Sequence, residues 1–79
     1  MVRAYVLIET TADKTGFVRD SVGHGLMNTL ALAHSFQPNE VMVHLDATTL
    51  EDLHRAILVD IPKLDGVKRV VPCMIVSRD

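Results

Sequence analysis

The chain has 79 residues, 48% apolar and 23% charged, with a formal net charge of −2. That composition excludes a disordered tail, and it lacks the clustered excess of Lys and Arg with which a protein grips nucleic acid electrostatically. The lone cysteine, Cys73, excludes an internal disulfide and a CxxC pair, and no apolar run approaches the roughly 18 residues of a membrane span.

Met1 leads directly into Val2-Arg3-Ala4-Tyr5 with no signal peptide, so one domain over residues 1–79 in a reducing cytoplasm is expected. Chains below about 70–80 residues seldom build enough core to stand alone, and they lean on disulfides, metals or self-association. With no disulfide and high apolar content, a homo-oligomer is expected.

Val2–Glu9 predicts a strand, with Ala4, Val6 and Ile8 on one side and Tyr5 and Leu7 on the other, covered on both faces. Thr10–Asp13 is a loop with helix-capping chemistry. A helix is expected over Lys14–Leu26, burying Phe17, Val18, Val22 and Leu26. Gly16, Gly23 and Gly25 weaken it, each by about 1 kcal/mol against Ala. Asn28 suits the turn out of it. Thr29–Phe36 predicts a second strand, with Leu30, Leu32, His34 and Phe36 on one face and Ala31, Ala33 and Ser35 on the other. Gln37-Pro38-Asn39-Glu40 is turn-rich. Val41–Asp46 is a third strand, Val41, Val43 and Leu45 alternating with Met42, His44 and Asp46, and it closes an antiparallel hairpin.

A second helix is marked by a capping box, Thr48 as N-cap and Glu51 reaching back, with Asp52 favoured by the helix dipole. Leu50, Leu53, Ile57 and Ile61 form its buried stripe, and Pro62 frays it at Ile61. Asp65-Gly66 is a turn. Val67–Val76 is the last strand, and Pro72 within it predicts a sheet edge or a bulge, because proline has no N–H for the ladder. The order β-α-β-β-α-β is an α+β split-βαβ arrangement. It predicts an antiparallel sheet with both helices on one face, the first and third strands central and the second and fourth at the edges. The other face still carries apolar side chains and is expected to pack on a second copy.

His24, His34, His44 and His54 fall on four different elements. With a four-residue hairpin loop His34 sits opposite Val43, which turns His34 and His44 to opposite sides of the sheet; a one-residue bulge would bring them together. They read as isolated surface or interface histidines, a zinc site being the less favoured alternative, and none is assigned as a metal ligand. Cys73 reads as a small buried hydrophobe. Glu9 and Glu40 are not spaced as an acid/base pair and read as solvated. Ser21 and Ser35 lack a nucleophile motif, Lys68-Arg69 is too short for a nucleic-acid patch, and the strands lack the stacking aromatics of an RNA-binding sheet. No catalytic constellation or cofactor motif is present. The turn Gln37–Glu40 is the most distinctive polar cluster. Its amides suit the carboxylate of a small zwitterion and Glu40 its ammonium, while spacing alone leaves an ordinary solvated turn equally open.

The opening strand from Val2 to Thr10, Lys14-Thr15-Gly16, the Gln37–Val41 turn and Leu64-Asp65-Gly66-Val67-Lys68-Arg69 together resemble the effector-binding domain of the Lrp/AsnC (leucine-responsive and asparagine regulator) family, also called the regulation-of-amino-acid-metabolism domain. The resemblance spans nearly the whole chain. It implies a ferredoxin-like fold that dimerises sheet to sheet into an α/β-barrel, with dimers joining into rings, often of eight subunits. It also implies a small effector, commonly an amino acid, held near the hairpin turn. On this chain the resemblance points to Gln37, Pro38, Asn39, Glu40, Met42, Val70 and Pro72 as ligand-binding residues. The family turn usually reads Gly-Pro-Tyr-Asp, so Glu40 keeps the acid one methylene longer. Because the chain opens on the first strand, the expected form is a stand-alone, non-enzymatic sensor without the DNA-reading helix-turn-helix, with full-length relatives as further partners. Two other readings share the element order. One is a small cofactor-free dimeric α/β-barrel enzyme of monooxygenase or isomerase type, with His34 or His44 as base in the cavity between sheet and helices. The other is an ACT-like amino-acid-binding module whose sheets meet side by side.

Overall fold

The computed structural model describes residues 1–26 and 28–77. The chain forms β1 (Val2–Thr10), a 3-10 turn (Ala12–Lys14), α1 (Thr15–Gly23), β2 (Thr29–Ser35) and β3 (Glu40–Ala47). It continues as α2 (Leu50–Arg55), a π-helical turn (Ala56–Asp60), a second 3-10 turn (Ile61–Lys63) and β4 (Val67–Ser77). The four strands make one antiparallel sheet in the order β2-β3-β1-β4. This small α+β architecture is compatible with a ferredoxin-like fold. The central strands are β1 and β3, as the element order predicts.

Strand alternation sets the two faces apart. Val2, Ala4, Val6 and Ile8 of β1 stand opposite Ala47, Leu45, Val43 and Val41 of β3, and all are buried. Val18 and Val22 of α1 and Leu53, Ala56, Ile57 and Ile61 from α2 and the turns that extend it join the same cluster. Both helices therefore cover one face of the sheet. Each fully buried Val, Leu or Ile contributes about 1.5–3 kcal/mol, so this layer supplies most of the driving force for folding.

The helices depart from the sequence reading in definite ways. Gly25 (φ 94°) and Asn28 (φ 61°) take left-handed backbone, so α1 stops at Gly23 and not at Leu26. Phe17 is 51% exposed, not buried. Val18 and Val22 occupy the inward stripe; Phe17, about 100° around the helix from Val18, has the Lys14 ammonium 5.5 Å from its ring centroid. The N-cap of α2 is Thr49, not Thr48: its hydroxyl accepts from the Asp52 amide at 3.1 Å. Leu50 is then the first helical residue, at the outer end of the stripe, and stays half exposed. Pro62 offers no N–H to the preceding turn, and the helix widens into the π turn before tightening at Ile61.

Strand β4 satisfies both expectations raised by Pro72. It is an edge strand, and its register with β1 slips at Pro72, which faces Val6 while Met74 faces Tyr5. Cys73 is the extra residue of that bulge and is exposed, contrary to the buried role read from the sequence. A second slip, with Thr10 opposite Val67 and Glu9 opposite Arg69, leaves Lys68 unpaired as well.

Candidate functional site

The hairpin turn is tied down on two sides. The Gln37 carbonyl accepts from the Glu40 amide at 3.0 Å, with Pro38 in the position after Gln37 that its fixed φ favours. The Asn39 carbonyl accepts from the Thr10 amide at 2.8 Å, and the Pro38 carbonyl from the Thr15 hydroxyl at 3.2 Å. The turn carbonyls are thus engaged inward. Among the described residues the amides of Gln37 and Asn39 donate to no backbone acceptor.

Beside this turn lies an open cleft of about 380 Å³, lined by Glu9, Thr10, Gln37, Pro38, Asn39, Glu40 and Lys68. Glu9 and Glu40 are directly opposed across β1 and β3. Like charges in that relation repel. Arg69 relieves one of them, donating to Glu9 from Nε at 3.0 Å and from Nη2 at 2.6 Å. Glu40, half-buried, makes no ion pair or side-chain hydrogen bond among the described residues, and neither does the bulged Lys68. One carboxylate and one ammonium without partners therefore border the same cleft.

The predicted ligand residues divide three ways. Gln37, Pro38, Asn39 and Glu40 line this cleft. Val70 and Pro72 line a neighbouring groove of about 260 Å³ with Ile57, Leu58 and Pro62, on the helix side of β4, and Lys68 borders both it and the cleft. Met42 stands on the open sheet face opposite Leu7 and His34. Strand alternation explains the split: Val70 pairs with the inward Ile8, and Pro72 with the inward Val6. Glu9, Thr10 and Lys68 belong to the cleft and were not among the expected ligand residues. Glu9, read as solvated, is instead ion-paired.

The open face has an ordered charge pattern. At one end run Glu40, Glu9 and Arg69; at the other, Asp46 and Arg3, joined by a bidentate pair at 2.7 and 3.2 Å. The Asp46 hydrogen bond, with a smaller contribution from Tyr5, holds the Arg3 guanidinium above its ordinary pKa. Between the charged ends lie Met42, Leu7, Val71, Leu32, Tyr5 and Met74. Leu30 is 72% exposed, and Leu32 and Met74 are each 57% exposed.

His34 faces Met42, not Val43, because a three-residue loop joins the Phe36–Glu40 pair. The register sums one lower than a four-residue loop gives, so His34 and His44 share the open face. Their ring centroids are 6.1 Å apart, and Tyr5 packs edge-on to His44 at 4.6 Å. Neither histidine lies between sheet and helices, where the enzyme reading places its base; apolar side chains fill that space. No helix among the described residues is long and apolar enough to cross a membrane.

No family model and no curated protein matches this chain. Among solved structures, the hypothetical protein PHS023 from Pyrococcus horikoshii superposes with a TM-score of 0.79 at 24% identity, covering 100% of this chain and 93% of that one. The likeness is one of fold.

Proposed function

We propose that this chain is a non-enzymatic ligand-binding and oligomerisation domain of the Lrp/AsnC type, which senses an amino acid or a similar small zwitterion. The observation that carries this reading is the meeting at one cleft of a carboxylate, Glu40, and an ammonium, Lys68, that have no side-chain partner among the described residues. Glu40 receives the ammonium of the ligand. Lys68 and the loop amides of Gln37 and Asn39 receive its carboxylate.

In this reading the ferredoxin-like sheets of two copies pack face to face into a dimeric α/β-barrel. The exposed Leu58 and the groove beside it give dimers a second apolar surface for joining into a ring. The area supports such a dimer. Four strands of about 4.8 Å spacing and 25 Å length outline roughly 500 Å² in plan, and side-chain relief raises this toward the roughly 800 Å² per partner of a stable interface. The ligand acts through assembly, which modulates transcription by co-assembly with full-length regulators of this type.

The test is native mass spectrometry against a pool of amino acids, followed by calorimetry on the amino acid retained. A charge-assisted hydrogen bond contributes about 1.5–3 kcal/mol, so Glu40→Gln and Lys68→Gln should each weaken binding roughly 10- to 100-fold while leaving the fold intact. Retention of no amino acid at millimolar concentration, or unchanged affinity in both variants, would overturn the reading.

A further inference from the structure

We propose that His34 and His44 form half of a binding site for a divalent transition-metal ion, completed by the same two side chains of a second copy. The inference rests on the sheet-to-sheet association proposed above, because each chain supplies only two ligands; among the described residues no group of three or more His, Cys, Asp or Glu side chains is placed to hold a metal.

The register brings the pair together. His34 faces Met42 and His44 faces Leu32, so the two are diagonal neighbours on adjacent strands and on one face. Their ring centroids stand 6.1 Å apart with planes at 73°. An imidazole nitrogen binds Zn²⁺ at about 2.0–2.1 Å, which puts each ring centroid about 3.1 Å from the ion and two ligating rings roughly 5–6 Å apart. Side-chain rotation covers the difference. Tyr5, edge-on to His44, limits how far that ring can turn away.

The surroundings favour a cation here. Neither imidazole makes a hydrogen bond or ion pair to the described residues. Arg3 is the cation lining the same pocket as His44, and it is neutralised by Asp46. The rest of the neighbourhood is Leu32, Leu30 and Met42. Covering such a face with a second copy strands four imidazoles among apolar groups, and buried polar groups without partners are costly. One tetrahedral ion engages one nitrogen of each. The two copies are seated so as to share it because Leu30, Leu32 and Phe36, at 72%, 57% and 58% exposure, all belong to β2 or its end. Most of the large exposed apolar side chains of the open face therefore lie on β2 or its end, beside the histidines, with Met74 of β4 the exception at 57%. An N₄ donor set suits Zn²⁺, Ni²⁺ or Cu²⁺ rather than Mg²⁺ or Ca²⁺.

The experiment uses the untagged full chain, loaded with Zn²⁺ and separately with Co²⁺, and reads bound metal after dialysis alongside sedimentation equilibrium. The expected result is one ion per two chains, intense visible Co²⁺ bands of tetrahedral geometry, and a dimer at least tenfold tighter with metal than with chelator. His34→Ala and His44→Gln should each abolish retention with the circular dichroism unchanged, whereas His54→Ala should retain the metal. A dimer that keeps no metal, or keeps it equally in the His34 and His44 variants, overturns the site and leaves the self-association standing. A monomer with and without metal overturns both.

Discussion

On the face-to-face association proposed above, Leu32→Glu is expected to leave a folded monomer. Leu32 lies on the edge strand β2, 57% exposed in the single chain, opposite His44 and in the apolar middle of the open face. In a face-to-face dimer, the substitution appears twice. Each copy forfeits about 2 kcal/mol of leucine burial and places a carboxylate in the apolar middle of the face, where Arg3, the cation lining the same pocket, is already paired with Asp46. The dimer dissociation constant should rise by at least 100-fold, read by sedimentation velocity. Far-UV circular dichroism should stay unchanged, because the helix-covered face is untouched. Leu58→Glu serves as the control: it sits beyond the helices and should leave the dimer intact. A Leu32→Glu protein that sediments like the parent would show that something other than this face holds the copies together.

Gly66→Ala is expected to be the most destabilising single-methyl change in the chain. Gly66 has φ 97°, and an added Cβ would overlap Cβ and Cγ of Lys14. The surrounding backbone has little room to give: the Gly66 carbonyl accepts from the Thr11 amide at 2.9 Å, and Lys14 pairs with Asp65 at 3.3 Å. Left-handed strain and overpacking together amount to about 3 kcal/mol. For a domain of this size that lowers Tm by roughly 12–24 °C. Gly23→Ala is the contrast. Nothing lies within 4 Å of its added Cβ and it closes α1, so it should be neutral or stabilising by up to about 1 kcal/mol. Urea unfolding of both at one fixed protein concentration checks the pair, since association makes apparent stability concentration-dependent. A loss below ~0.5 kcal/mol for Gly66→Ala, the usual spread for a harmless surface change, would contradict this account of the turn.

The parts legible in the sequence are those governed by local periodicity. Alternation in β1 and β3 marks Ala4, Val6, Ile8, Val41, Val43 and Leu45 as one face, and these are the residues found buried. Pro72 announces an edge strand because the missing N–H is a property of the residue itself. The failures share a different cause, which is register. Whether His34 meets Val43 or Met42 depends on one residue of loop length, and that residue decides whether two histidines converge. The bulges at Lys68 and Cys73 arise from pairing with β1, 60 positions away in the chain for Glu9 and Arg69. Nothing near Cys73 distinguishes a bulged thiol from a buried one. Helix ends failed for a related reason: Thr48 and Thr49 offer the same hydroxyl, and it is Thr49 that stands in extended backbone directly before the helix, with its hydroxyl on the Asp52 amide.

The candidate cleft was half legible. The Gln37–Glu40 turn stands out by its residue types, and the structure keeps those four together. Glu9, Thr10 and Lys68 reach the same cleft only through strand pairing. Val70 and Pro72, attached to the site by family resemblance, point to the helix side because alternation in β4 puts them there.

Sedimentation equilibrium of the unmodified chain at micromolar concentration tests the central claim most directly, that a second copy covers the apolar sheet face. The account predicts a mass of at least twice the 8.7 kDa of one chain. A folded species of 8.7 kDa, stable on dilution and free of larger forms, would contradict it.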